Sequence, residues 1–199
     1  MSFLHISAQT QLFTRAGFNF STAKAVFGDG KRQVDYVPGG HIGIQLRTTF
    51  EGLLHFSAIV AYNSRGFVIH SKTNDDKTRN FIHYLDLLPQ LSIDIPTGNK
   101  RKLVFSAGPS ASLAIGGREK TTAGNLTSTS RMKFSTVNEY GLFDFGLNVS
   151  VGYHFNKLFI EAAYQYSFVN INNNVETDKR NIQNRNFSLA LGYRIRSFK

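Results

Sequence analysis

Charged side chains interrupt segments of the sequence that otherwise alternate between apolar and polar residues. Each of them lies on the polar side of its segment: Arg15, Arg47, Glu51, Arg65, Asp86, Asp144, Glu161, Arg194 and Arg196. Guanidinium groups and carboxylates form ion pairs when they are buried together, and in a membrane they can also carry protons or ions. Which role applies depends on the elements that hold these residues.

The histidines are the other candidates for chemistry, as general acids, general bases or metal ligands. They are His5, His41, His55, His70, His83 and His154. His83, which follows Asp75 and Asp76, is the one candidate for a catalytic group near a lipid-facing rim. No nucleophile motif, phosphate-binding loop or pair of histidines at metal-ligand spacing accompanies it. The sequence therefore predicts no enzyme, no catalytic residue, no metal site and no cofactor.

The elements that position these residues are predicted to be β-strands. Between residues 158 and 168, apolar residues occupy every second position, and the only charged residue, Glu161, lies on the other face. Because strand side chains alternate between two faces, such a segment has one apolar and one polar surface. Eight segments of this kind are predicted, at 11–22, 37–50, 53–66, 80–94, 102–115, 140–155, 157–168 and 186–196.

The connections between the predicted strands alternate in length. They are short after the second, fourth and sixth strands, and long and polar after the first, third, fifth and seventh. This alternation is typical of outer-membrane barrels, which have short periplasmic turns and long outer loops. The predicted fold is an all-β, eight-stranded antiparallel up-and-down transmembrane β-barrel with short periplasmic turns, long extracellular loops and both termini in the periplasm.

In a barrel of this kind the apolar face meets lipid and the charged residues line the interior. An eight-stranded barrel is just wide enough to be filled by its side chains, so we expect a plugged lumen. Opposite charges on neighbouring strands are expected to pair, with Glu161 and Arg194 as the favoured pair. The charges then specify and fill the barrel, and a proton path or an ion channel is the alternative.

Two prolines lie inside predicted strands, where each residue of a closed ladder is expected to donate an N–H group. Pro89 and Pro109 are therefore expected at a bulge or near a strand end.

The composition limits the partners of the protein. The 199 residues suffice for one domain, and 23 Lys and Arg against 13 Asp and Glu give a net charge of +10. The cations cluster in the connections, which favours outer-membrane lipid and lipopolysaccharide as partners and argues against nucleic acid. The absence of cysteine excludes disulfides and thiolate metal sites. Residues 1–10 are predicted to be an export-signal remnant or a flexible terminus, and residues 11–199 the single barrel domain.

Five short patterns resemble the PorT-like outer-membrane β-barrel proteins of Gram-negative bacteria. They are GFNFS (17–21), AYNSRGF (61–67), YLDLLP (84–89), SAGPS (106–110) and NFSLALGYRI (186–195). The family usually separates its acid and proline by two positions, whereas Asp86 and Pro89 are three apart. The resemblance implies a small barrel in the outer membrane and no single activity, since family members range from secretion-system components to barrels of unknown role.

Three functions are compatible with these features. The first is a non-enzymatic outer-membrane barrel that acts in structure or recognition, or as a subunit of a larger secretion or assembly complex with protein partners. The second is a soluble or periplasmic lipid-binding barrel, in which the apolar face would turn inward. The third is a narrow channel.

Overall fold

The computed structural model describes residues 9–72, 75–136, 140–173 and 179–198. The strands are β1 (Thr10–Phe27), β2 (Gly30–Lys31), β3 (Val34–Glu51), β4 (Leu54–His70), β5 (Lys77–Gly98), β6 (Arg101–Ala123), β7 (Leu126–Arg131), β8 (Phe134–Ser135), β9 (Tyr140–Gly141), β10 (Phe143–Phe155), β11 (Leu158–Ser167) and β12 (Asn181–Phe198). Within the described ranges, no helix is long and apolar enough to cross a membrane. Most of the predicted 1–10 segment, residues 1–8, lies outside the described residues, and Thr10 already begins β1.

Eight of the strands form a closed antiparallel ring. Their order is β1, β3, β4, β5, β6, β10, β11 and β12, and β12 pairs again with β1. Each ring strand pairs with its predecessor and its successor along the chain, so the architecture is an up-and-down barrel without a free edge. The predicted all-β, eight-stranded antiparallel up-and-down barrel is therefore confirmed. Of the remaining strands, β2 pairs with β1, β7 pairs with β6, and β8 pairs with β9.

The apolar face of the sheet points outward around the barrel. Burial alternates along β10, where every second residue is exposed and apolar. Outward side chains include Phe18, which is 73% exposed, and Leu191, which is 62% exposed. Apolar residues exposed on strand after strand are typical of a wall that contacts lipid, and far exceed the patches that soluble proteins expose. The alternation of apolar and polar residues in the sequence therefore predicted correctly that the apolar face points outward and the polar face inward.

Short turns and long connections lie at opposite ends of the barrel, which we call the short-turn end and the long-loop end. Two-residue turns at 52–53, 99–100 and 156–157 connect β3 to β4, β5 to β6 and β10 to β11. Gly52, Lys100 and Asn156 adopt positive φ values of 52°, 59° and 58° in these turns. Tight hairpin turns require this left-handed conformation, which glycine and asparagine adopt most readily.

The two prolines do not lie at a bulge or near a strand end, so that prediction is wrong. Leu87 pairs with Ala111 and Leu91 pairs with Ala107, which places Pro89 directly opposite Pro109 in the middle of β5 and β6. No pairing is assigned to the three positions between these pairs, as expected where two facing residues both lack an N–H group. Because the prolines share one gap, the register continues unchanged on both sides of it.

The interior at the long-loop end is largely apolar. Inward side chains from the ends of five strands form a buried cluster there, which we call the apolar cap: Ala23, Ala25, Phe67, Ile69, Ile82, Tyr84, Ala114 and Ile182, together with Met132 and Ile171 from the long connections. Met132 is 5% exposed and Ile171 is 1% exposed. The apolar cap closes this end of the lumen above the charged residues.

Candidate functional site

A buried ion pair crosses the middle of the lumen. Arg15 on β1 donates from Nη2 to Oε1 of Glu161 on β11 at 2.7 Å, and the two side chains are 5% and 4% exposed. The guanidinium carbon also lies 5.9 Å from the centre of the Phe159 ring. A buried charge is tolerated only with a partner of opposite charge, so each member of this pair depends on the other.

The expected pair of Glu161 and Arg194 is not formed. Glu161 lies opposite Ala190 on β12, and Arg194 lies four residues farther along that strand, a rise of about 13 Å. Arg15 reaches Glu161 across β12 because the strand between them presents only Ala190 and Gly192 to the interior at this level. The prediction failed because it allowed pairing only between adjacent strands.

A second network joins β1, β3, β4 and β5 at about the same level. Asp86 accepts hydrogen bonds from Arg65 and, at 2.8 Å, from Asn63 Nδ2. Asn63 in turn accepts from Asn19, whose Oδ1 lies 2.7 Å from His41 Nδ1. Asn19 is completely buried and Asp86 is 1% exposed. Hydrogen bonds thus link the polar side chains of four strands, while His41 Nε2, Asp86 Oδ1 and Arg65 Nε have no partner among the described residues.

A third cluster lies toward the short-turn end and is centred on Asp94. This carboxylate pairs with Arg47 and Lys102, and its Oδ2 lies 2.9 Å from His55 Nε2. Asp94 was not among the predicted lumen charges, although Leu91 and Ile93 are exposed on the outer face of the same strand. Their alternation places Asp94 on the inner face, so the signal was present in the sequence.

The other predicted lumen residues have different surroundings. Asp144 is buried, but its partners are the uncharged Ser167 and Asn184, the latter at 2.8 Å. Arg194 is half-buried at the mouth of the short-turn end and has no ion-pair partner among the described side chains. Arg196 is exposed and lies over the ring of Phe198, so its predicted inward position is wrong.

Glu51 ends β3, and its side chain lies outside the described part of the structure. Among the described side chains, four cations and four carboxylates lie inside the barrel and away from its mouth: Arg15, Arg47, Arg65, Lys102, Asp86, Asp94, Asp144 and Glu161.

The space left at the centre of the lumen is very small. The cavity bounded by Arg15, His41 and Asp86 has a volume of about 20 Å³. A single water molecule needs at least about 10–15 Å³, so there is room for one water and not for a continuous aqueous path. The ion pairs can fill and fix the barrel, and the apolar cap seals the level above them.

The predicted weak catalytic candidate, His83, is paired with a tyrosine on the outer wall. Its Nδ1 lies 2.6 Å from the hydroxyl of Tyr62, and the two rings stack with centres 5.7 Å apart. Phe81 packs edge-on against the same imidazole at 5.2 Å. Such an aromatic group is typical of the girdle where a barrel wall meets the lipid headgroups. In the described residues, no three His, Asp or Glu side chains are grouped so that they could hold a metal ion.

The patterns that carry the family resemblance meet inside the barrel. The first supplies Asn19, the second Asn63 and the third Asp86, and these three side chains belong to the second network. The fourth supplies Gly108, where a Cβ would lie 2.0 Å from the carbonyl oxygen of Pro89. Four short patterns that are far apart in the sequence thus specify one region of the lumen wall and its filling.

Solved structures that resemble the chain include Ail, the attachment invasion locus protein of Yersinia pestis (14% identity, 96% of this chain and 100% of that chain, TM-score 0.48). They also include Neisserial surface protein A (18% identity, 92% and 97%, TM-score 0.43) and OprG from Pseudomonas aeruginosa (11% identity, 96% and 96%, TM-score 0.47). No curated protein sequence matches significantly. A family model described as outer membrane protein beta-barrel domain matches residues 8–173, and the chain therefore belongs to that family.

Proposed function

We propose that the protein is a non-enzymatic outer-membrane barrel with a plugged lumen, which acts in structure and recognition through its long-loop end. The observation that carries this proposal is the filled interior, with a cavity of about 20 Å³ between the central charges and an apolar cap above them. A lumen without a continuous water path supports neither conduction nor a substrate tunnel. What the barrel offers to its surroundings is then its outer wall and its two ends.

A role as a subunit of a larger secretion or assembly complex is the finer form of this proposal. It is supported by the PorT-like patterns, whose residues Asn19, Asn63 and Asp86 join in a single buried network. The soluble lipid-binding alternative has less support, because it requires the apolar face to turn inward, whereas that face is exposed around the barrel.

Heat modifiability and conductance test the plugged-barrel proposal. The purified chain should require detergent for extraction, and its compact gel band should shift only after heating. In planar bilayers it should give no steady current, while a porin measured in the same bilayers provides the positive control. Steady single-channel currents from the folded chain would overturn the plugged lumen, and extraction into buffer without detergent would overturn the membrane location.

The proposed orientation places the short-turn end and both termini in the periplasm. It can be tested with single cysteines, because the chain has none of its own. Asn125→Cys lies in the turn between β6 and β7 at the long-loop end, and Asn99→Cys lies in a two-residue turn at the opposite end. A bulky, membrane-impermeant maleimide should label only Asn125→Cys in intact cells. If only Asn99→Cys were labelled, the short-turn end would face the outside of the cell and the proposed orientation would be wrong.

A further inference from the structure

Three strands continue past the barrel wall at the long-loop end and carry a cluster of cations. There, β5, β6 and β7 form a three-stranded antiparallel sheet. Arg79 lies opposite Lys120, and Arg118 lies opposite Arg131 in the neighbouring row. Because opposite residues and residues two apart share a face, all four cations project from the same side of the sheet. We call this quartet the basic face.

The basic face has no internal charge compensation. All four side chains are exposed, and no ion pair to any of them is found among the described residues. The carboxylate of Glu119 belongs to the opposite face, where it accepts a hydrogen bond from the Tyr140 hydroxyl. Like charges on adjacent strands destabilise a sheet. An anion bound from outside would relieve this repulsion.

The basic face points to the lipid side of the wall. On β5, Asn80, Ile82 and Tyr84 are buried in the interior, so the alternate residues face outward. These are Arg79, Phe81, His83 and Leu85. From the middle of the wall toward the long-loop end, β5 therefore presents an apolar residue (Leu85), the aromatic girdle (His83 and Phe81) and then a cation (Arg79). This order matches the order of acyl chain, interface and headgroup in a lipid leaflet.

A groove of headgroup size lies between the aromatic girdle and the basic face. It has a volume of about 380 Å³ and is lined by His83, Gly116, Gly117, Arg118, Thr129, Ser130 and Arg131. Gly116 leaves this space open, because a Cβ there would meet only the His83 ring, at 4.0 Å, and Arg118 and Arg131 face each other across the β6–β7 pair. Arginine is well suited to a phosphate because its planar fork donates two parallel hydrogen bonds.

We infer that this groove and the basic face bind the phosphate groups of a phosphorylated lipid in the surrounding leaflet. The lipid's acyl chains would lie along the outward apolar residues beyond His83, such as Leu85. This inference deepens the proposed function by giving the long-loop end a ligand. It rests on the membrane location, and in the proposed orientation the lipid is lipopolysaccharide. The four cations of the basic face favour a phosphate group as the ligand. The adjoining lipid-facing wall favours a lipid over a free anion.

Binding can be measured by native mass spectrometry of the full chain in detergent micelles. The probe is bisphosphorylated lipid A, and its dephosphorylated form is the matched ligand control. The test variant is Arg118→Gln with Arg131→Gln. The matched control, Lys100→Gln with Arg101→Gln, removes the same charge at the short-turn end. Each cation near a headgroup surface contributes about a fivefold change in binding, so the test variant should bind about 25-fold more weakly. The control should change less than about twofold.

Three results would overturn the inference. One is equal binding of the phosphorylated and dephosphorylated lipids, and another is equal weakening in the two variants, which would indicate general electrostatics. The third is displacement of the lipid by equimolar inorganic phosphate, which would make the groove a site for free anions. The compact, heat-sensitive gel band of each variant reports the barrel separately. If the compact band persists and the test variant binds the lipid as tightly as the unaltered chain does, the proposed lipid site is refuted, whereas the proposed barrel function is not.

Discussion

Removing one partner of the central ion pair should cost much of the stability of the barrel. In a Glu161→Ala variant the Arg15 guanidinium would stay buried, and no other ion pair to it is found among the described residues. Its Nη1 already has no hydrogen-bond partner in the described structure, and the Phe159 ring at 5.9 Å offers only a weak cation–π contact. Loss of one partner from a buried pair costs about 3–5 kcal/mol, which is two to four factors of ten in the unfolding equilibrium.

Urea unfolding of the chain in lipid vesicles, followed by the compact gel band, measures this cost. For a small protein the dependence on urea is about 1–3 kcal/mol per molar, so the midpoint should fall by at least about 1 M. The compact band should also shift at a lower temperature.

A double variant separates charge burial from packing. Replacing both members, with Arg15→Met and Glu161→Leu, removes the uncompensated charge and should recover most of the stability lost in the single variant. Loss of less than about 1 kcal/mol in Glu161→Ala would refute the mutual dependence of the pair. So would a double variant that is no more stable than the single one.

Further predictions concern the packing, the ladder and the outer end. Gly192→Val should lower the urea midpoint by the equivalent of about 1–3 kcal/mol, because its Cβ would lie 2.0 Å from the Phe159 ring, and an unchanged midpoint would contradict this contact. Pro89→Ala should restore one ladder N–H, seen as a slowly exchanging amide at position 89, with stability changed by no more than about 1 kcal/mol; rapid exchange there would show that the gap is not where the register places it. Arg32 holds the pKa of Asp29 below its usual value by a hydrogen bond of 2.9 Å, so Arg32→Gln should raise that pKa in an NMR titration.

The sequence predicted the strands and their faces because both depend on local alternation. The outward positions of Leu85, Leu87 and Leu91 follow from the rule that strand side chains alternate, whatever the neighbouring strand is. The partner of Glu161 depends instead on the stagger between strands and on the small side chain of Ala190 between the partners. Neither quantity is encoded in one strand alone.

The apolar cap was missed for a related reason. Phe67 and Ile69, which lie just beyond a predicted strand, carry the inward apolar signal. Met132 and Ile171, however, reach the cluster from long connections whose path is set by tertiary packing rather than by any local period. The interior at this level could therefore be derived from the sequence only in part.

The apolar cap also determines where the long-loop end tolerates new sequence. The tip of the hairpin between β6 and β7 is at Gly124, and a side chain placed there would meet no atom within 4 Å. A peptide epitope inserted at this tip would be displayed above the wall, whereas an insertion beside Met132 would pull a side chain out of the seal. Gly124 is thus a position that tolerates insertion, whereas Met132, eight residues farther along the chain, anchors the segment in the apolar cap.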